Sequence, residues 1–384
     1  MNPLSHRDRV LTVLNHEIPD RPVLDLGGSQ ASGINLIAYK RLKALLGLPG
    51  PVRVQSERSM LAWPDDEVFR RFDVDLRLIV APTTEDSGSG GLFDEAAYER
   101  EAEYTDAWGV TRRRPPRGHY YVARAPFEKD EPTLADLDAH PWPSPALTDA
   151  AGLKREAERL RRETDCALVA QVPGRIFSLG QFMCGFGNWL VQLLENREFC
   201  EALLDRALDI QLQMADQTLQ ALGDNVDILY LADDYGSQGG PLISPALFRQ
   251  VFKPRMARLI QFLRARSKAR IAFHSCGSVY ALIPDFIDVG VDILNPIQVA
   301  ATDMDTARLR RQFGKHLVFW GAIDTQSVLP SGTPDEVRAE VTRRANDLWP
   351  GYFIASVHNM QAEVPPENIV AMFDAGRAWR PAGC

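Results

Sequence analysis

Cysteine is scarce in this chain of 384 residues, and the few cysteines present are scattered along it. They are Cys166, Cys184, Cys200, Cys276 and Cys384. Such sparse and irregular spacing excludes a disulfide framework and is typical of proteins from a reducing compartment. The first residues also lack the apolar core of a secretory signal. We therefore expect a cytoplasmic protein.

Long apolar runs and an excess of basic charge are missing as well. No apolar run approaches the roughly 20 residues that span a bilayer, and the formal net charge is -8. An acidic balance disfavours nucleic acid or an anionic membrane as the main partner. No GxGxxG or Walker pattern opens a helix after a strand, which argues against a dinucleotide or nucleotide site. The expected partners are therefore small molecules.

The chain does have a rhythm of short apolar runs that alternate with helical patterns. Eight runs rich in β-branched residues predict strands at 22–26, 74–80, 166–172, 226–232, 270–274, 291–295, 317–321 and 352–357. Helical patterns lie at 182–195, 197–222, 245–267, 279–288, 303–313 and 334–347. This alternation implies parallel βαβ units, and eight units favour a (β/α)8 TIM barrel formed by residues 1–384 as a single domain. A doubly wound open sheet is the alternative.

One stretch, residues 83–149, interrupts the rhythm because it is long, polar and irregular. It contains a Gly/Ser patch at 87–91 and an arginine run at 112–114. We expect an inserted irregular or β segment that either shapes a site at the barrel mouth or decorates the surface. The arginine run is expected to be solvated.

Polar residues gather where the proposed strands end, which is where a (β/α)8 barrel carries its catalytic groups. The set comprises Gln171, Asp233, Asp234, His274, Cys276, Asn295, Gln298, Asp324 and His358. Among them, Gln171, Gln298 and Asp324 are candidate cofactor-binding residues. Arg175 follows the strand at 166–172 more distantly, and we expect it at the surface, with binding of a carboxylate or phosphate as the alternative.

His274-Ser275-Cys276 is the sharpest feature of this set. Residues two apart on an extended segment point the same way, so one cation can take both side chains. His358, after the last strand, is the candidate third ligand, and nitrogen with thiolate suits zinc. Asp234 or Asp233 is the candidate for a fourth, oxygen ligand. A helix start near Ser278 would favour the thiolate. The alternatives are a Cys/His nucleophile pair and a small buried core cysteine.

Asp233 and Asp234 are candidate catalytic residues together with His358. Adjacent residues on a strand point in opposite directions, so one of the two acids faces the pocket. A helix N-cap or a supporting hydrogen-bond acceptor is the alternative role for either carboxylate.

Several stretches of this sequence are similar to those of one known superfamily. They read DDYGSQGGPLISP (233–245), FHSCGS (273–278), VDILNPIQ (291–298), FWGAIDTQ (319–326) and HNMQAEVPPEN (358–368). In these stretches the chain resembles the uroporphyrinogen decarboxylase superfamily, and the similarity extends over nearly the whole chain. The resemblance implies a (β/α)8 barrel, in agreement with the number of predicted strands.

The superfamily has two branches, and the resemblance favours the second. Its decarboxylases act on uroporphyrinogen without a cofactor and carry arginines after the first strand, which 21–30 lacks. They also carry a catalytic aspartate at the end of the second strand, where residues 79–82 of this chain read IVAP. Its methyltransferases use zinc to activate a thiol and often work with a corrinoid protein. His274 and Cys276 match their zinc motif, whereas His358 stands where those enzymes usually have cysteine and where decarboxylases also carry a histidine.

The resemblance therefore implies a zinc-dependent methyltransferase that moves a methyl group between a small substrate or thiol and the corrinoid of a partner protein. Two alternatives remain: a carboxy-lyase that acts without a cofactor, and a non-catalytic barrel that binds a corrinoid or tetrapyrrole. The decarboxylase relatives also suggest a homodimer.

Overall fold

The eight predicted strands form one parallel sheet that curls into a nearly closed barrel. The computed structural model of the protein describes residues 3–81 and 90–381. The strands are β1 (Val23–Leu24), β2 (Leu76–Val80), β3 (Ala167–Gln171), β4 (Ile228–Ala232), β5 (Arg270–His274), β6 (Ile293–Asn295), β7 (Val318–Ile323) and β8 (Tyr352–Ser356). Their spatial order is β1-β8-β7-β6-β5-β4-β3-β2, and all neighbours are parallel. The backbone amide of Asp75, just before β2, donates to the carbonyl of Leu24 on β1 at 2.9 Å and so connects the two end strands of the sheet. The predicted barrel is confirmed.

The helical patterns in the sequence are confirmed to within a few residues, with one break. The pattern over 182–195 divides into Phe177–Cys184 and Phe186–Glu195 at Gly185, whose φ of 78° favours glycine. The other α-helices are His6–Leu14, Leu36–Leu45, Asp66–Phe72, Glu95–Tyr98, Leu134–Ala139, Ala150–Glu163, Arg197–Leu222, Pro245–Leu247, Lys253–Arg264, Ile283–Val289, Thr306–Phe313, Val328–Ser331, Pro334–Leu348 and Pro366–Ala378. Shorter turns are the 3-10 helices Gly223–Asn225 and Tyr280–Leu282 and the π-helix Phe248–Phe252. Within residues 3–81 and 90–381, no helix is long and apolar enough to cross a membrane.

Alternate residues of each strand point into the barrel and fill it with apolar side chains. The interior cluster comprises Val23, Leu76, Leu78, Ala167, Val169, Ile228, Tyr230, Ala272, Ile293, Val318, Trp320, Phe353 and Ala355. The intervening residues pack outward against the helices. Because side chains alternate with a period of two, the next inward position on β3, β5 and β6 is polar: Gln171, His274 and Asn295. The carboxyl end of the barrel is therefore its polar end.

A buried charge network holds the opposite end of the barrel together. Asp75, which is fully buried, accepts hydrogen bonds from Arg9 at 2.6 Å and from Arg21 at 2.8 Å. Buried charges are tolerated when they are paired in this way. Arg21 is thus a structural residue at the amino ends of the strands, whereas (β/α)8 barrels bind their substrates at the carboxyl ends.

Two inserted antiparallel sheets lie outside the barrel. The first, between β1 and β2, contains the strands Ile34–Asn35, Leu61–Trp63 and Arg53–Ser56. Its strands are only two to four residues long, too short for a recognisable alternation, and no insert was predicted there. The second, Ala102–Thr105, Thr111–Arg114 and Tyr121–Arg124, confirms the predicted β insert. Residues 83–89 of that insert, with most of the Gly/Ser patch, and Cys384 lie outside the described residues.

The arginine run of the second insert is partly buried, so the prediction of a solvated run is wrong. Arg112 and Arg114 share one face of their strand and are 6% and 5% exposed, whereas Arg113 points to Glu103. The guanidinium of Arg112 stacks on the ring of Phe182 at 4.8 Å. The insert therefore packs against the helix Phe177–Cys184, which forms one wall of the barrel mouth.

Candidate metal centre and active site

A cavity of about 190 Å³ opens at the carboxyl ends of the strands. Its lining includes the predicted residues Gln171, Asp233, Asp234, His274 and His358. The sequence did not single out Gln30, Arg58, Ser59, Tyr230 or Asn359 for this cavity, although they line it as well. Arg175 also lines it, so its expected surface position is wrong. Gln30, Arg58 and Ser59 follow β1 in the unpredicted first insert, and no local pattern marks them as mouth residues.

His274 and His358, which line this cavity, converge with the side chain of Cys276. One potential ligand atom from each residue lies within 4.8 Å of the other two. Sγ of Cys276 lies 3.3 Å from Nε2 of His274, and the two imidazole ring centres are 5.7 Å apart. The structure thus brings together the three residues that the sequence proposed as metal ligands.

His274 is held in a defined orientation by the neighbouring strand. Its Nδ1 lies 2.6 Å from Oδ1 of Asn295, whose Nδ2 in turn faces the carbonyl of Trp320 at 3.4 Å. An amide oxygen only accepts hydrogen bonds, so Nδ1 carries the proton and Nε2 presents a lone pair. Burial lowers the pKa of His274, which keeps the imidazole neutral. A neutral ring with a free Nε2 is suited to metal binding.

His358 has an equivalent arrangement just beyond β8. Its Nδ1 lies 2.6 Å from Oδ1 of Asn359, and the same oxygen accepts a hydrogen bond from Nε2 of Gln361 at 2.6 Å. Both histidines therefore use Nδ1 to bond a supporting amide, as metal-binding histidines commonly do.

Cys276 is positioned through its backbone. Its amide donates to Oδ1 of Asp234 at 2.8 Å, and the next amide donates to Oε1 of Gln298 at 2.7 Å. Gly277 has a φ of 83°, and a side chain there would meet the backbone of Gly236 at 2.5 Å. The two glycines therefore let the loops after β4 and β5 approach each other, which places Cys276 beside Asp234.

The thiol of Cys276 lies in a different electrostatic environment from the one expected. The next helical segment along the chain begins at Tyr280, four residues after Cys276 and two after the expected start near Ser278. Burial, with the adjacent carboxylate of Asp234, raises the pKa of the thiol. Burial and the Asp234 carboxylate therefore oppose the expected thiolate, and a cation held by His274, Cys276 and His358 would favour its ionisation.

The two adjacent acids have separate positions. Asp233 is 2% exposed, and its carboxylate accepts hydrogen bonds from the amides of Ile176, Phe177 and Ser178 and from the Ser178 hydroxyl, at 2.7 to 3.0 Å. These bonds cap the helix Phe177–Cys184, which is the helix-capping role that the sequence offered as an alternative for these acids. Asp234 remains near the cluster, with Oδ1 at 3.5 Å from Nε2 of His274 and about half its side chain exposed.

The three candidate cofactor-binding residues also differ in their contacts. Gln171 lines the cavity, whereas Gln298 supports the Cys276 loop. Asp324 accepts from the amides of Gln326 at 2.8 Å and Val328 at 3.4 Å and so caps a short helix. A cofactor role for these residues stays a prediction, and Gln171 is the one whose position suits it.

This protein is a (β/α)8-barrel protein. Its histidine and cysteine side chains converge at the carboxyl end of the eight-stranded parallel barrel. Within that class, residues 123–379 match the family model of uroporphyrinogen decarboxylase (URO-D), and the chain belongs to this family. The family resemblance in the sequence is thereby confirmed. A search of curated proteins finds no match.

Two solved structures are similar to this chain. A methyltransferase from Methanosarcina mazei has a TM-score of 0.64 and 17% sequence identity, with 97% of this chain and 98% of that chain covered. A B12-independent methionine synthase from Shewanella sp. W3-18-1, in complex with selenomethionine, has a TM-score of 0.43 and 12% identity, with 93% and 98% covered. The first similarity shows that the two proteins share the barrel fold.

Proposed function

We propose that this protein is a zinc-dependent methyltransferase that transfers a methyl group between a small substrate or thiol and a corrinoid held by a partner protein. The observation that carries the proposal is the convergence of His274, Cys276 and His358 within 4.8 Å at the carboxyl end of the barrel. The alternative of a metal-free nucleophilic cysteine is disfavoured by the raised pKa of the Cys276 thiol.

The donor set fits zinc. Two imidazole nitrogens and one thiolate are typical zinc ligands, and three protein ligands leave a fourth position for a substrate. Both imidazoles already have Nδ1 engaged, so each offers Nε2 without rearrangement. When bound, zinc would lower the pKa of a substrate thiol and favour its nucleophilic thiolate at neutral pH.

The side chains around the cluster have roles that follow from their positions. Asp234 lies 3.5 Å from Nε2 of His274 and is accessible from the cavity, so its carboxylate is placed to accept the proton that a substrate thiol loses. Asp233 shapes the cavity by capping the helix that carries Ser178 and Phe182. His358 acts as a ligand in this proposal.

The lining of the cavity favours a small substrate with an anionic group. Arg58 and Arg175 line it together with Asp233 and Asp234, and a guanidinium group binds carboxylate and similar oxyanions well. Its volume of about 190 Å³ is below the roughly 300–1,000 Å³ that drug-sized ligands occupy. A tetrapyrrole with eight carboxylates exceeds what the described lining can enclose or neutralise, which makes the decarboxylase alternative the weaker one.

A first experiment measures metal content. Wild-type protein purified without chelators or added metal should contain about one zinc per chain, because three ligands are already assembled. Cys276→Ala should lose most of that zinc. Cys200→Ala is the matched control, because Cys200 is a fully buried cysteine of the helix Arg197–Leu222 and lies outside the cluster. Wild-type protein with no stoichiometric zinc would contradict the proposal.

A second experiment measures the reaction. Methylcobalamin serves as a stand-in for the corrinoid of the partner protein, and demethylation is followed by its absorbance in the presence of a panel of small thiols. Zinc-dependent demethylation supports the proposal. Turnover of uroporphyrinogen by metal-free protein would instead establish the carboxy-lyase, and tight corrinoid binding without any turnover would establish the non-catalytic barrel.

A further inference from the structure

Tyr230 is connected to the candidate metal ligand His274 through one intervening side chain, that of Asn295. The phenol is buried in the barrel on β4, and its hydroxyl donates to Oδ1 of Asn295 at 3.1 Å. The same oxygen accepts the hydrogen bond from Nδ1 of His274 at 2.6 Å. One amide oxygen thus receives a donor from the barrel interior and a donor from the candidate metal ligand.

The orientation of the Asn295 amide decides which nitrogen of His274 carries the proton. In the observed orientation Oδ1 faces both donors, and Nδ2 faces the carbonyl of Trp320 at 3.4 Å. A rotation that exchanged the two ends would aim an N–H group at Nδ1 and would move the ring proton to Nε2. The bond to Trp320 is long and therefore weak, so the shorter bond from Tyr230 is the stronger barrier to this rotation.

The position of that proton matters because Nε2 is the nitrogen on the cluster side. It lies 3.3 Å from Sγ of Cys276, and a protonated Nε2 has no lone pair for a metal. We propose that Tyr230 is a positioning residue that, through Asn295, keeps His274 in the tautomer able to bind a metal. This inference rests on the metal site of the proposed function.

Tyr230 is itself held rigidly enough for this role. Its ring packs edge-on against Trp320, with ring centres 5.8 Å apart and planes at 71°. The indole Nε1 of Trp320 donates to the fully buried carboxylate of Asp25 at 2.8 Å. The phenol ring therefore has little freedom to follow a rotated amide. A hydrogen bond from the Ser29 side chain also engages the phenol oxygen, so the hydroxyl proton is left to donate to Oδ1.

The direct test removes one hydroxyl. Tyr230→Phe should raise the zinc dissociation constant about tenfold, the lower end of the effect of losing a supporting partner of a histidine ligand. Tyr235→Phe is the matched control, because Tyr235 is equally buried and the described hydrogen bonds of Asn295 and His274 do not include its hydroxyl. It should change the constant by less than about twofold. Both are measured with zinc alone, by competition with a chromophoric chelator.

A second pair of variants separates positioning from a general structural role. In Asn295→Asp both ends of the side chain are acceptors, so rotation no longer changes what His274 meets. Tyr230→Phe added to this variant should therefore weaken zinc binding by less than about twofold. If Tyr230 only stabilised the fold, its loss would weaken zinc binding equally in both backgrounds, and the proposal would be overturned.

A spectroscopic measurement needs no metal. Two-bond 15N–1H correlations of the metal-free protein, with His274 assigned by the signal lost in His274→Gln, report its tautomer directly. We expect the Nδ1–H form in the wild type and a mixture with the Nε2–H form in Tyr230→Phe. An unchanged tautomer would refute the positioning role. If the wild type binds no zinc but Tyr230→Phe still changes the tautomer, the proposed function is refuted and the positioning of His274 by Tyr230 stands.

Discussion

The carboxylate of Asp233 offers a quantitative test of whether this residue caps a helix or takes part in the chemistry. Oδ2 accepts from the amides of Ile176 and Phe177 at 3.0 and 2.8 Å, and Oδ1 accepts from the amide and hydroxyl of Ser178, both at 2.7 Å. Burial raises the pKa of Asp233, while these four hydrogen bonds oppose that shift. The change to examine is Asp233→Asn, with Asp233→Ala and Ser178→Ala beside it.

The magnitudes follow from the bonds that each variant loses. In Asp233→Asn one oxygen becomes an NH2 group; the Ser178 hydroxyl can turn to accept from it, but the Ser178 amide is left without an acceptor. An orphaned buried amide costs about 1–3 kcal/mol, and the remaining bonds lose their charge, so we expect about 3 kcal/mol. Asp233→Ala orphans all three amides and should cost about 5 kcal/mol. Ser178→Ala removes one donor and should cost about 1 kcal/mol.

Urea unfolding followed by circular dichroism gives the free energy of unfolding of each variant, and zinc content is measured on the same samples. We expect the loss of stability to increase from Ser178→Ala through Asp233→Asn to Asp233→Ala, with about one zinc retained by the folded protein in each case. The reasoning is refuted if Asp233→Asn unfolds within about 0.5 kcal/mol of the wild type yet has lost methyl transfer. That result would mean that Asp233 acts on the substrate.

Three further predictions concern other parts of the chain. The carboxylates of Asp73 and Asp165 flank His6 and raise its pKa. The stabilisation from the charged imidazole is therefore fully present below about pH 6.5 and is lost as the pH rises through the higher pKa of the folded state. The difference in unfolding free energy between the wild type and His6→Gln should therefore shrink between pH 6 and pH 9; a constant difference in urea unfolding would contradict it. Gly277→Ala should cost about 1–3 kcal/mol and lower zinc affinity, because its φ of 83° and the nearby backbone exclude a side chain. Gly187→Ala, which meets nothing within 4 Å, is its control and should be neutral or stabilising in the same assays. Arg58→Met should lower kcat/KM for an anionic thiol about tenfold and leave a neutral thiol of equal length unaffected; equal losses for both thiols would show that Arg58 does not bind the anionic group.

The sequence by itself determined the alternation of eight strands with helices and the centre of the candidate site, whereas closure into a barrel rather than an open sheet was decided by the tertiary structure. Strand runs and helical patterns are set by the local alternation of apolar residues, so all eight strands could be predicted from short windows. The same local rule places His274 and Cys276 on one face of an extended segment. It also shows that Asp233 and Asp234 point in opposite directions.

Only the tertiary structure decided what each of these residues contacts. The carboxylate of Asp233 is a helix cap because Phe177–Cys184 begins beside it, and that contact joins residues more than 50 positions apart. Arg58 reaches the mouth through an insert whose strands are too short to predict, and Arg175 turns toward the cavity instead of the surface. His274 is hydrogen-bonded to Asn295 on β6, and Asn295 accepts from Tyr230 on β4, and no local pattern connects these strands. Local periodicity specifies which way a side chain points, whereas its partners depend on the packing of distant segments.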